Sequence, residues 1–151
     1  PVKDGFTEMQ IGKAERLVKG QDVVLLAVGN MVEYAKKSSE KLLVEGIRCE
    51  IINMRFIKPL DVDMLNDVVT RFEKIVTLEE STIVGVFGTG VLEYLAERNL
   101  KNDILRIGLP DKFVDHGTQE ELHKQIGIDP DGIVEKIKKF LSTKINQGVV
   151  A

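Results

Sequence analysis

The sequence has no tryptophan, and aromatic residues make up only 5% of it. Its formal net charge is -3 at pH 7. Proteins that bind nucleic acids usually present a basic surface, aromatic stacking platforms or both. We therefore expect no nucleic-acid partner, and the negative charge gives no attraction to an anionic membrane.

Cysteine is almost absent, because Cys49 is the only one in the chain. A single cysteine cannot form an internal disulfide, so a reducing compartment is expected. Cys49 lies between Ile47 and Ile51 and is either a reactive thiol or, as we favour, a buried strand residue.

Long apolar runs are also missing, since none approaches the ~20 residues that span a bilayer. No membrane partner is therefore expected. The chain starts at Pro1 rather than at methionine, and no signal-peptide pattern follows. The simplest expectation is a piece of a longer protein.

Short apolar runs alternate with helical patterns along most of the chain. Residues 23–28 are continuously apolar, which is typical of a parallel strand covered on both faces. Similar strands are predicted at 51–54, 75–78 and 104–107. Apolar residues at helical spacing predict helices between these strands and after the last one.

Capping residues mark where several of these helices begin and end. Asp61 is a predicted N-cap, Thr118 opens a Thr-x-x-Glu capping box, and Asp129 precedes a proline at the first helical position. A first helix over 31–45 is expected to stop at Gly46.

This order predicts an α/β fold with three layers: a mainly parallel sheet of about five strands, with helices on both faces. Residues 15–18 are predicted to add an edge strand, and a tight turn between Gly20 and Asp22 would make it antiparallel. We expect residues 1–13 to be a linker from a preceding domain, 14–145 to be one domain and 146–151 to be a flexible tail.

Ligands of open α/β sheets favour the loops beyond the carboxyl ends of the strands. The candidate polar residues in those loops are Arg55, Lys58, Asp111, Asp115 and His116. His116 is either an acid–base group or, as we favour without a partner nucleophile, a residue that holds a turn. The histidines and the cysteine have no metal-ligand spacing, so no metal site is expected.

The glycine-rich segment 85–90 follows a strand and opens a helix. It is either an anion cradle at a helix N-terminus or, as we favour, a place of close backbone packing against the sheet or another subunit. Its order, G-x-x-G-x-G, is not the dinucleotide fingerprint. Gly85, Gly88 and Gly90 are therefore candidate interface or anion-contact residues.

Glu79 and Glu80 end the third predicted parallel strand. Paired carboxylates can do acid–base work or bind a cation. Adjacent strand residues point to opposite faces, so these two do not converge easily. An interface or structural role is the preferred interpretation.

Six stretches, taken in order, resemble the third domain of the 1-deoxy-D-xylulose-5-phosphate synthase family. The most specific are the run from Asn53 to Asp61 and the pair of blocks Gly-Leu-Pro-Asp and His-Gly-Thr-Gln-Glu-Glu. The others are the segments 11–14, 76–80 and 88–93. The resemblance runs from Ile11 to about Leu141. The chain departs from the family at Gly85-Val86, where two glycines are usual, and this weakens a direct backbone contact of Val86 with a ligand.

The resemblance implies a transketolase C-terminal-like fold and a homodimeric parent enzyme with further domains. Such a parent condenses pyruvate with D-glyceraldehyde 3-phosphate, using thiamine diphosphate and Mg²⁺, on the path to isoprenoids, thiamine and pyridoxal. A cytoplasmic location is implied, or a plastid for a plant-type source. The Gly-Asp-Gly motif that holds the cofactor's diphosphate is not in this sequence, so we expect no catalytic residue, cofactor or metal in this chain.

Two alternatives remain open. One is the C-terminal domain of a 2-oxoacid dehydrogenase beta subunit or of a transketolase, which shares the fold. The other is an independent module that binds an anion at residues 85–90.

Overall fold

A computed structural model describes residues 8–112 and 117–143. The five strands are β1 (Glu15–Val18), β2 (Val23–Ala27), β3 (Cys49–Asn53), β4 (Lys74–Thr82) and β5 (Asp103–Leu109). The five helices are α1 (Met31–Val44), α2 (Val62–Arg71), α3 (Phe87–Glu97), α4 (Gln119–Ile126) and α5 (Pro130–Ser142).

The strands form one sheet in the order β1-β3-β2-β4-β5. All neighbouring pairs are parallel except β1 with β3. This arrangement confirms the predicted α/β fold with one antiparallel edge strand. A tight turn after β1 would have paired it with β2, but the structure pairs β1 with β3 instead.

Both faces of the sheet are covered, which gives the three predicted layers. One core combines the α1 and α5 side chains Ala35, Leu42, Ile133 and Ile137 with Leu25 and Val76 of the sheet. The other combines α2 and α3 with the opposite side chains of the same strands, such as Leu26 and Ile75. The central strand β2 is buried at every position, which explains why its sequence does not alternate.

The predicted helix caps are confirmed. The Asp61 side chain accepts from the Met64 N–H, Thr118 and Glu121 form the reciprocal capping box, and Asp129 accepts from the Gly132 N–H. Gly46 follows the end of α1 with a φ of 83°. The N-terminal ends of three helices are therefore fixed by local sequence.

Two elements extend beyond their predicted bounds. β4 continues past Leu78 to Thr82, so Glu79 and Glu80 lie inside a strand rather than at its end. α3 starts at Phe87, so Gly88 and Gly90 lie within a helix rather than in the loop before it. No described helix has the length and apolar character needed to cross a membrane.

Candidate functional site

The N-terminal end of α3 is capped by a side chain from the neighbouring strand. The Phe87 N–H donates to Glu79 Oε2 over 3.0 Å, and the Gly88 N–H donates to Glu79 Oε1 over 2.8 Å. The Ser81 hydroxyl adds a third hydrogen bond, of 2.7 Å, to the same carboxylate. Glu79 is fully buried, and the positive end of the helix dipole favours its charge. The position that an external anion would take is therefore filled by Glu79.

Gly88 permits this close approach between α3 and the sheet. A Cβ atom at Gly88 would lie 2.7 Å from Thr77 Oγ1 and 3.0 Å from both Arg106 Cδ and Glu79 Oε1. Gly88 itself is buried. Its glycine requirement comes from helix–sheet packing inside the domain, and a substitution there acts first on the domain's own fold.

A groove of about 470 Å³ starts at the carboxyl edge of the sheet and runs between the loop after β3 and the length of α3. This carboxyl-edge groove brings together three residues that the sequence singled out, Lys58, Gly85 and Gly90. Its other lining residues include Ile57, Leu60, Val62, Val86, Thr89, Glu93, Tyr94, Glu97 and Arg98.

The carboxyl-edge groove has a mixed lining, in which apolar side chains alternate with charged side chains of both signs. Ile57 and Val62 are each 41% exposed there. Tyr94 donates to Asn66 over 2.6 Å, and the Arg98 guanidinium lies 4.2 Å from the Tyr94 ring centroid. Burial raises the pKa of Tyr94 above its ordinary value. Partly exposed apolar side chains among charges of both signs are typical of surfaces that contact protein.

Glu80 points to the other face of the sheet, as the alternation along a strand requires. Its carboxylate lies 3.0 Å from His123 Nε2 and also accepts from Asn30 and Gln119. His123 is buried, and its Nδ1 lies 3.2 Å from the Tyr34 hydroxyl. Glu80 therefore joins β4 to α4 and to the start of α1.

The remaining sequence candidates do not join the groove. Arg55 pairs with Glu15 of β1, and Asp111 is exposed just after β5. Asp115 and His116 lie outside the described residues. Within the described residues, no cluster of His, Cys, Asp and Glu could hold a metal ion.

No local sequence pattern predicts the Glu79 cap or the Glu80–His123 contact. Both link residues through the fold rather than through local spacing. The one available signal was the pair of carboxylates directly after the mainly apolar run 75–78, because a buried charge requires a partner.

Comparison with known families matches residues 12–133 to the family described as "Transketolase, C-terminal domain". The chain belongs to this family. It is homologous to the C-terminal region of 1-deoxy-D-xylulose-5-phosphate synthases, as its similarity to individual proteins shows.

The synthase of Aquifex aeolicus is 42% identical over 91% of this chain, and the match covers 22% of that protein. The synthase of Thermomicrobium roseum is 40% identical over 95% of this chain and 23% of its own length. The chain thus spans less than a quarter of the length of these relatives.

Solved structures agree with the fold. A split-gene transketolase, described as an inactive beta4 tetramer, superposes with a TM-score of 0.83 at 27% identity, over 90% of this chain and 44% of that one. A Pichia stipitis transketolase superposes with a TM-score of 0.64 at 19% identity, over 87% of this chain and 18% of that one. The second similarity concerns the fold alone.

Proposed function

We propose that this chain is the C-terminal domain of a thiamine-diphosphate-dependent 1-deoxy-D-xylulose-5-phosphate synthase, and that it serves assembly rather than catalysis. The observation that carries the proposal is the 42% identity to such a synthase over 91% of the chain but only 22% of the relative. The relatives named are bacterial, which suits a cytoplasmic enzyme.

The parent would join pyruvate to D-glyceraldehyde 3-phosphate and release carbon dioxide. Thiamine diphosphate and Mg²⁺ would supply that chemistry from sites in other domains. The glycine-rich N-terminus of α3 does not fit the cofactor: its Phe87 and Gly88 N–H groups are bound to Glu79, and a diphosphate there would face a buried carboxylate.

In this proposal the carboxyl-edge groove is the docking surface. Ile57 and Val62 expose apolar area at the rim, and Val84 in the adjacent loop is 56% exposed. Glu79 holds the start of α3 rigidly behind them. Burying such a surface against another part of a homodimer is a common use for an exposed apolar patch.

The test is an Ile57→Glu substitution in the full-length enzyme, with dimerisation followed by analytical ultracentrifugation over a range of concentrations. A charge placed in a buried apolar contact should weaken association at least tenfold, which is about 1.4 kcal/mol. Val44→Glu is the matched control, because Val44 is 88% exposed at the far end of α1. Equal dimerisation of both variants and wild type would contradict the proposal.

A transketolase-type parent is the second candidate, favoured by the superposition on the split-gene transketolase. The two candidates differ in the parent's reaction. Release of carbon dioxide from pyruvate by the full-length enzyme supports the synthase, whereas transfer of a two-carbon unit between sugar phosphates supports the transketolase.

A further inference from the structure

The outer edge of β5 is unpaired within the described sheet, because β5 is the last strand in the sheet order. The Asp103 N–H donates to Glu73 O over 2.8 Å, and Leu109 O accepts from the Ile83 N–H over 3.0 Å. Both ends of β5 thus bond toward β4 through odd-numbered residues. Backbone groups of alternate residues point to opposite edges of a strand. The N–H and C=O groups of the even-numbered residues 104–108 therefore face outward.

A groove of about 630 Å³ follows this outer edge along residues 105–108. We call it the β5-edge groove, and its opposite wall includes the end of α4 and part of α5. Its charged lining residues are Arg106, Lys112 and Lys136. None of its described lining residues is acidic, although the chain as a whole has a net charge of -3. The edge is therefore a local basic surface on an acidic protein.

Neutral oxygens hold two of these cations in place. The Arg106 guanidinium donates to Ile83 O over 2.7 Å and to Thr89 Oγ1 over 3.2 Å. Lys136 Nζ donates to Ile126 O over 3.1 Å. Burial lowers the pKa of Lys136, as expected when an ammonium group loses water without gaining a close counter-charge. These bonds position both cations beside the groove without neutralising their charge.

The two cations lie on opposite faces of the sheet. Arg106 lies on the α3 side, where its Cδ is 3.0 Å from the Cβ position of Gly88. Lys136 belongs to α5, which covers the other face. An extended chain beside β5 directs successive side chains to alternate faces, so its acidic residues reach both cations. A small anion contacts only one of them, because the strand lies between, and a second copy would bring the same basic surface against itself.

We infer that the β5-edge groove binds an extended acidic segment of a partner protein, which adds a strand to the sheet. The outward-facing backbone groups of β5 supply the hydrogen bonds, and the three cations select acidic side chains. This site lies at a different edge of the sheet from the carboxyl-edge groove. The inference is therefore independent of the contact proposed for that groove.

The first experiment measures binding of a synthetic peptide of about eight residues, built from glutamate and valine, to the 151-residue chain by fluorescence anisotropy. We expect saturable binding that is lost when lysine replaces every glutamate. Binding should also be lost when every backbone nitrogen of the peptide is methylated, which keeps the charge but removes the N–H donors. Absence of saturable binding would overturn the inference. Equal binding of the methylated peptide would do the same, because charge alone would then explain it.

The second experiment locates the bound peptide by amide hydrogen exchange. With the glutamate peptide bound, the Arg106 and Gly108 N–H groups should exchange about tenfold more slowly, whereas the Ile107 N–H, which faces β4, should change less. Unchanged exchange at Arg106 and Gly108 would place the peptide elsewhere. Slow exchange there without peptide, increasing with protein concentration, would assign the edge to a second copy. Either result overturns the inference.

The third experiment uses two charge reversals. Lys112→Glu changes an exposed cation of the groove and should weaken peptide binding about fivefold. Lys101→Glu is the matched control, because Lys101 is exposed just before β5 but does not line the groove. It should weaken binding less than about twofold. Equal weakening by the two substitutions would indicate attraction to the overall charge and contradict the inference.

Discussion

The Glu79 carboxylate and the Gly88 backbone N–H are 2.8 Å apart, and this hydrogen bond joins β4 to the start of α3. Because Glu79 also accepts from Phe87, it satisfies two helix N–H groups that would otherwise be buried without partners. The carboxylate is thus an internal substitute for the anion that a glycine-rich helix start usually attracts.

Replacing Glu79 should therefore destabilise the domain. In Glu79→Ala, the Phe87 and Gly88 N–H groups lose their acceptor, and we expect a loss of roughly 2–4 kcal/mol in the free energy of unfolding. Urea denaturation at pH 7 measures this loss. Glu93→Ala, on the exposed side of the same helix, should change it by less than about 0.5 kcal/mol. Equal effects of the two substitutions would show that the cap contributes little.

The glycines of α3 should respond differently to the same change. Gly88→Ala forces its new methyl group against Thr77 Oγ1 at 2.7 Å, and overpacking of this kind costs about 1–3 kcal/mol. A Cβ atom at Gly90 would meet Leu60 Cδ1 at an ordinary 3.5 Å. Gly90→Ala should therefore be neutral or stabilise by up to ~1 kcal/mol, because alanine favours helices. Thermal unfolding of the two variants tests the contrast, and a destabilised Gly90→Ala beside a tolerated Gly88→Ala would contradict it.

A buried ion network ties β3 to α2. Glu50 is only 1% exposed, and it accepts from both Arg71 Nη atoms and from Arg16 Nε. Burial alone would raise the pKa of Glu50, but the hydrogen bonds from Arg71 and Gly20 and the charge of Arg16 outweigh it and lower the pKa. The pKa of Asp67 is also lowered, mainly by Arg71.

These lowered pKa values make the domain acid-sensitive. Stability from Glu50 and Asp67 is fully present above the ordinary carboxyl pKa of about 4 and is lost as pH falls below it. Arg71→Gln should destabilise the domain at pH 7, by no more than about 3–5 kcal/mol because Arg16 still contacts Glu50. At pH 3, below the ordinary carboxyl pKa, the variant should lie closer to wild type, since a protonated Glu50 no longer needs the arginine. Urea denaturation at both pH values measures this, and an equal difference at the two would contradict the ion-pair account.

Cys49 should be chemically inert in the folded domain. Burial raises its pKa to about 11, despite a hydrogen bond from Ser39, and the side chain is 2% exposed. At pH 8 almost no thiolate is available to react. Alkylation monitored by mass spectrometry should proceed only at the rate of unfolding. Rapid labelling of folded protein would support the reactive-thiol alternative.

Features that depend on neighbouring residues could be predicted from the sequence, and features that depend on distant residues could not. The sequence correctly predicts three helix caps, at Asp61, Thr118 and Asp129. Each side chain accepts a hydrogen bond from an N–H group three residues further along the chain. The buried strand β2 is also evident, since its apolar run has no polar interruption. Local patterns therefore predict most of the elements and their order.

Contacts between residues far apart in the sequence could not be predicted from local patterns. The pairing of β1 with β3 depends on which edge of the sheet is free, and no turn motif encodes that choice. Glu79 reaches across eight positions to Phe87 and nine to Gly88, so nothing in the sequence identifies it as a cap. A carboxylate that closes a glycine-rich helix start becomes visible only when strand and helix are placed together.

The most direct test of the central claim is titration calorimetry of the 151-residue chain with thiamine diphosphate and Mg²⁺. Cofactor binding is proposed for other domains of the parent, and Glu79 occupies the only glycine-rich helix start of the described residues. It predicts no saturable heat for wild type. Saturable binding with a dissociation constant below about 100 μM, equivalent to roughly 5.5 kcal/mol, would contradict it.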